Sequence, residues 1–330
     1  MQFLDTTLNP VPVMMRTLFL NRQIILLRKL NLLQFFFINF HPKHYKKKYS
    51  NYLSCIIKSF IFFNLTNSIM NIVIVPVDFS ATSLHTARYA AQLLVGHPGV
   101  NMLLYHSYSK PSEEAEAMES LEELRRELAS GHTVNIDILV HKEDDFVDGL
   151  ERAVRHRKAE LVIMGITGKS ALAQVFFGSN TLKMVESKVC PVMIVPEKAP
   201  FTEIRNVMLT SDFKDTTKTT PSAPIKDFLS VFNPRLHIVN VDKDHYISLT
   251  TSYEKEKQNL AKMFEVYDPE FYFMRLYDVN EALNLFAEDK DIDLIILIRR
   301  NESFMEKLFT ASHTKAITYQ SKVPILVMHE

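Results

Sequence analysis

The sequence predicts an α/β protein built twice over, as two tandem units that are each a five-stranded parallel sheet with helices on both faces. Three observations carry this. From Met70 onward, short β-branched apolar runs alternate with amphipathic helical patterns. The order of those patterns then repeats within the chain. Finally, Val162-Ile163-Met164-Gly165 through Pro191 lies without a gap over Ile295-Ile296-Leu297-Ile298 through Pro324. With 330 residues the chain has room for two domains of ordinary size.

The first unit opens with a strand over 71–77, apolar at nearly every position as a strand covered on both faces must be. A helix is expected from near Ser80, with Leu84, Ala87, Ala91 and Leu94 on one face and Gly96 placed to end it. After a strand over 101–107, Ser112 is positioned to cap the next helix. The stripe of that helix is Met118, Leu121, Leu124 and Leu128, and Gly131 is its stop. A strand over 133–140, a helix carrying Phe146, Leu150 and Val154, a strand over 160–164, a helix from about 178 and a strand over 192–195 complete the unit.

The second unit follows the same order. A strand over 204–210 leads into Ser211-Asp212-Phe213, the counterpart of Val77-Asp78-Phe79. Ser179 falls on Ser312, Thr181 on Thr314, and Ser187 through Pro191 on Gln320 through Pro324. Pro221 and Pro224 disturb the helix after Asp212. The expected division is an extension over 1–69, a first domain over 70–198 and a second over 199–330.

The chemistry concentrates in the first unit. Gly165-Ile166-Thr167-Gly168 follows a buried strand, and after nine intervening residues Gly178-Ser179-Asn180 opens a helix. Glycine lets backbone N–H groups approach an anion closely, and a helix start offers free N–H groups and a favourable dipole. Asp78 ends the first strand, where a ribose or base edge can sit, although capping the next helix is its alternative role. A tight turn is the alternative for Gly165 and Gly168. Gly168-Lys169-Ser170 resembles the tail of a P-loop, but the glycine that pattern needs five residues earlier is Ile163, inside the strand. No G-x-G-x-x-G follows a strand either. In the second unit the three glycines become Ile298, Asn301 and Ala311, so that unit is expected to keep the fold and lose the ligand, unless Arg299 and Arg300 take a different anion by charge.

These residues resemble the universal stress protein family in its tandem form. Its nucleotide-binding members carry G-x-x-G, nine residues, then G-[ST], which Gly165, Gly168, Gly178 and Ser179 match, and Val77-Asp78-Phe79-Ser80 matches the end of the family's first strand. The similarity covers essentially 70–330 and none of 1–69. It implies two Rossmann-like domains of strand order 3-2-1-4-5, so that Asp78 and Gly165 meet at the topological switch point. It also implies that Asp78 contacts the adenosine, that Met164 lines the adenine pocket, and that Gly165 and Gly168 surround ribose and phosphates. Gly178, Ser179 and Asn180 would hold the phosphates, with Asn180 standing where a small apolar residue is usual. The implied ligand is ATP, or AMP or ADP, with magnesium as an optional companion. Family dimers pair through their last strand, so the two units are expected to form an internal pseudo-dimer, with a homodimer as a further option.

Charge and composition narrow the classes. The formal net charge is zero, yet residues 1–69 hold nine Lys/Arg against Asp5 alone, leaving 29 basic and 37 acidic residues in 70–330. A mildly acidic body argues against nucleic acid as a partner. Cys55 and Cys190 make no disulfide framework, and Cys190, before Pro191 and an apolar strand, reads as a small buried hydrophobe. Of the twelve histidines, His85 and His106 read as packing or surface residues.

The apolar runs Leu30–Phe40 and Cys55–Leu65 are eleven residues each, against the roughly twenty a membrane span needs. The favoured expectation is that native translation begins at Met70. A basic membrane-surface anchor, which would make the chain a membrane-associated nucleotide sensor, is the competing one. Function is expected to be that of a cytoplasmic stress-response binding module regulated by nucleotide occupancy. Slow ATP hydrolysis is the alternative, since the loop offers no positioned base, arginine finger or acidic magnesium pair.

Overall fold

The computed structural model describes residues 70–130, 134–166, 179–242, 251–275, 279–299 and 322–330. Residues 68–330 form one compact unit. Its first half comprises β1 (Ile72–Pro76), α1 (Ala81–Leu93), β2 (Asn101–Tyr108), α2 (Glu114–Ala129), β3 (Asn135–Lys142), α3 (Phe146–Arg157), β4 (Leu161–Ile166), α4 (Ser179–Ser187) and β5 (Val192–Pro196). The second half comprises β6 (Asn206–Thr210), α5 (Thr216–Thr219), α6 (Ser222–Phe232), β7 (Arg235–Asp242), α7 (Thr251–Met263), β8 (Glu270–Arg275), α8 (Val279–Asp289), β9 (Leu294–Arg299) and β10 (Ile325–His329).

Both halves take the anticipated strand order, but they share a single ten-stranded sheet, β3-β2-β1-β4-β5-β10-β9-β6-β7-β8. Pairing is parallel everywhere except at the centre. There β5 and β10 run antiparallel, with Ile194 opposite Ile325, Met193 opposite Leu326 and Val192 opposite Val327. Two last strands that would each expose unpaired N–H and C=O groups satisfy one another instead. The internal pairing is thus the one anticipated for a pseudo-dimer.

Strand alternation feeds two cores. Val73, Val75, Met102 and Leu104 pack under α1 and α2, in a cluster that continues without a break to Phe228 and Leu229 of α6 and to Leu260 of α7. Ile74, Leu103, Val162 and Ile194 face the other way, toward Leu150 of α3, Met184 of α4 and Phe286 of α8. Side chains also join the halves directly on the first face, where the His97 and Phe232 rings lie 5.0 Å apart. The duplication is visible in the hydrogen bonds as well. Val77 N–H donates to Tyr105 O as Ser211 N–H does to Val239 O, and Val162 N–H donates to Pro191 O as Ile295 N–H does to Pro324 O.

Some elements differ from the sequence reading. Ser112 does not cap α2. It lies in a 3-10 turn, Pro111–Glu113, and the Glu113 carboxylate instead accepts the N–H groups of Ser109 and Lys110. The buried stripe of α2 is Ala117, Leu121, Leu124 and Leu128, at i, i+4, i+7 and i+11, whereas Met118 falls one residue off that line and is 40% exposed. Gly96 does take positive φ, 82°, in the turn after α1. Pro221 breaks the helix after β6 into the single turn of α5 and the longer α6, as its missing N–H requires. Gly131 lies outside the described residues.

Candidate functional site

The C-terminal ends of β1 and β4 are neighbours, because β1 pairs with β2 on one side and β4 on the other while the connections leave in opposite directions. Such a switch point leaves a crevice above the strand ends. Asp78 and Gly165 both lie there.

Asp78 is exposed at the tip of β1 and is not the helix cap. Ser80 caps α1, its hydroxyl accepting the Ser83 N–H at 3.2 Å. The Asp78 carboxylate accepts the Ser80 N–H at 3.0 Å, and the Asp78 N–H donates to Ser83 Oγ at 3.3 Å. Partial burial pushes this carboxyl upward, but the hydrogen bonds from Ser80 and Ser83 outweigh it and hold Asp78 below the usual aspartate range. The group is therefore an ionised acceptor at neutral pH, suited to hydroxyl donors. Between Asp78 and Ser80 the chain turns through Phe79, which takes a left-handed φ of 61°; Phe213 does the same at 54° in the second half.

Gly165 sits where α1 crosses β4. A Cβ built there would lie 2.5 Å from Thr86 Oγ1, 2.6 Å from Thr82 Cγ2 and 3.2 Å from the Thr82 carbonyl. The glycine thus has a packing reason: it lets the first turns of α1 settle onto the strand end. On its other side, buried Thr181 donates its hydroxyl to Gly165 O at 3.1 Å, fixing the start of α4 over the same strand end. Ser179 is the first residue of that helix, and Asn180, next to it, is exposed. The N-terminus of α4 is thereby aimed at the crevice that Asp78 borders. Met164, one residue before Gly165, is 6% exposed and belongs to the buried cluster that also holds Ile74 and Met184. Gly168 and Gly178 lie outside the described residues.

Several contributors were not singled out in the sequence. Thr82, Thr86 and Ser83 set the approach of α1, and His106, read as a packing or surface residue, holds Val77 O through Nδ1 at 2.7 Å. That bond fixes the carbonyl preceding Asp78 and makes Nδ1 the protonated nitrogen. Asn240 makes the same contact in the second half, from Nδ2 to Ser211 O at 2.8 Å. The pairing of Thr181 with Thr314 in the internal alignment was the available signal for Thr181.

The second half lacks the close approach. Ile298, the counterpart of Gly165, is a buried branched side chain, and the helix that would cross it is the broken α5–α6 pair. Asn301, Ala311, Ser312 and Thr314 lie outside the described residues. Cys190 is buried, and burial pushes its thiol up to about 12, so it is a packing residue as expected. Among the described residues no group of three or more His, Cys, Asp or Glu side chains is arranged to hold a metal ion, and no helix is long and apolar enough to cross a membrane.

Comparison with known proteins agrees with this architecture. A universal stress protein of Methanocaldococcus jannaschii is 24% identical over 142 residues, covering 37% of this chain and 80% of its own. One from Thermus aquaticus is 27% identical over 107 residues, covering 29% of this chain and 78% of its own. Among solved structures, a universal stress protein from Archaeoglobus fulgidus superposes with a TM-score of 0.58 at 16% identity, covering 79% of this chain and 97% of that one, a likeness of fold. The sequence profile of the universal stress protein family matches residues 70–196 and again 233–329, which together are well over half of the chain. The chain therefore belongs to the universal stress protein family.

Proposed function

We propose that the first half, residues 70–198, binds an adenine nucleotide (ATP, ADP or AMP, with or without magnesium) in the crevice above β1 and β4. The second half, 199–330, carries a degenerate copy of that site. The observation that supports this most directly is the convergence of two groups of opposite character. An ionised Asp78 carboxylate stands on one wall, suited to ribose hydroxyls. The N-terminus of α4, held to β4 through Thr181 and Gly165, stands on the other, suited to phosphate. The motif residues Gly168 and Gly178 fall in the segment between β4 and α4, where a phosphate cradle belongs.

The role that fits this chemistry is regulation by occupancy in the cytoplasm, with the bound nucleotide shifting partner binding or assembly. Heat denaturation of the purified protein followed by mass spectrometry of the supernatant tests the reading. A stoichiometric adenine nucleotide is the expected result. A protein that releases none and shows no calorimetric heat with ATP, ADP or AMP would remove it.

A further inference from the structure

The two halves diverge sharply in one row of residues. At the C-terminal ends of β4 and β5 the last paired residues are Ile166 and Pro196. The same register positions in β9 and β10 hold Arg299 and His329. Side chains alternate along a strand, and Leu297 and Val327, two residues earlier, belong to the core under α4 and α8. Arg299 and His329 therefore lie side by side on that face. A pair that is apolar in the first half has become cationic or protonatable in the second.

Among the described residues the side-chain polar atoms of this pair lack partners. Both ring nitrogens of His329 are shielded from water and make no hydrogen bond. The Arg299 side chain is half-buried and forms no ion pair or hydrogen bond among the described residues. A second positive group comes from the first half across the antiparallel seam: Lys188, exposed and in a left-handed turn with φ 55° just beyond α4. Burial, then the charges of Arg299 and Lys188, hold the His329 ring down to about 4. Glu330, the acid next in sequence, is exposed past the end of the strand. Buried polar atoms without partners are rare in folded proteins and call for a ligand or a water to satisfy them. Two cations, Arg299 and Lys188, beside them favour an anion, and a guanidinium fork matches a tetrahedral oxyanion in shape.

We propose that Arg299, His329 and Lys188 form a binding site for a small phosphate-like oxyanion at the seam between the halves. The site works by charge and side-chain N–H donation, without a glycine cradle, and does not depend on the nucleotide site of the first half. Arg299 supplies the bidentate contact, His329 a ring N–H from beneath, and Lys188 a mobile charge at the rim.

The test uses inorganic phosphate and the full chain, against sodium chloride of equal ionic strength. Phosphate is expected to raise the melting temperature saturably and to give a calorimetric isotherm. Arg299→Gln should weaken that binding at least tenfold, and the part of the response that Arg299→Gln removes should persist in Gly178→Val, which alters only the first-half motif. Should Arg299→Gln fail to fold, Lys188→Gln at the exposed rim serves in its place, with a several-fold loss expected. Displacement of phosphate by AMP in the Gly178→Val chain would identify a nucleotide phosphate as the ligand, and failure to displace it a free oxyanion; either supports the site. No saturable response in the unaltered chain, or equal responses from it and Arg299→Gln, overturns the proposal. Loss of the response in Gly178→Val alone overturns it too, by assigning the phosphate to the first half.

Discussion

Glu160 and Asp293 hold the same post in the two halves. The Glu160 carboxylate accepts the N–H groups of Asn71 and Ile72 at 3.0 and 2.9 Å, and Asp293 accepts those of Arg205 and Asn206 at 2.8 and 2.9 Å. Each acid stands just before the fourth strand of its unit and ties down the foot of the first, so the two strands that frame the crevice are pinned at the end away from it. Glu160→Ala and Asp293→Ala should each cost about 1 kcal/mol, the worth of hydrogen bonds to a charged acceptor at a partly wet site. The sites share no partners, so the double variant should lose the sum. Denaturant melts check this, and a double variant no less stable than either single one would contradict it.

Nucleotide binding should depend on Asp78 and not on its counterpart. Asp78→Ala is expected to weaken ATP binding at least tenfold, about 1.4 kcal/mol. Asp212→Ala should leave it within twofold, because Ile298 denies the second half the close helix approach seen at Gly165. Equal losses in calorimetric titrations of the two variants would show that both halves bind.

Gly165→Ala should destabilise the fold even without ligand. Its Cβ would meet the branched Thr82 and Thr86 side chains at 2.6 and 2.5 Å, and α1 would have to shift. A cost of about 1–3 kcal/mol is expected for such overpacking. Adding Thr82→Ser and Thr86→Ala, which remove the two nearest atoms, should restore part of the loss. A melt of Gly165→Ala that matches the parent would mean that α1 yields freely.

Acid should weaken the protein partly through His329. Burial first, then Arg299 and Lys188, lower the ring from 6.5 to about 4 in the folded chain. Between those values the unfolded state binds a proton that the folded state refuses, so this contribution is complete above pH 6.5 and declines as the pH falls toward 4. In chloride buffer, His329→Gln should show a shallower fall of melting temperature over that window than the parent. Parallel curves would place the acid sensitivity elsewhere, on carboxylates.

The compact unit should not need the first 69 residues. Met70 is 3% exposed and packs into the core beside β1, so a chain starting there keeps every core residue among the described ones. It should melt with the full-length protein and bind nucleotide equally well. A start at Asn71 would lose a buried side chain and should melt lower. A drop of many degrees on removing 1–69 would show that those residues stabilise the fold, and loss of membrane association would support the anchor.

The alternation of strands and helices and the duplication were readable in the residues, because β-branched runs and helix stripes are local patterns that a covered parallel sheet imposes on its sequence, whereas the strand order and the switch point came with the family resemblance. The break at Pro221 was readable too, since a missing N–H acts within one turn. The tertiary structure decided what depends on distant approach. Local pattern suggested Ser112 as a cap and Met118 as core, but the 3-10 turn before α2 and the line through Ala117 set both aside. For Gly165 the family resemblance implied ribose and phosphates, and the packing adds a second reason for glycine there, the approach of Thr82 and Thr86 from far earlier in the chain. The fusion of two sheets into one, the tie from His106 to Val77, and the meeting of Arg299, His329 and Lys188 likewise depend on strands remote in sequence lying side by side. Periodicity reports which face of an element is buried, and only packing reports what it is buried against.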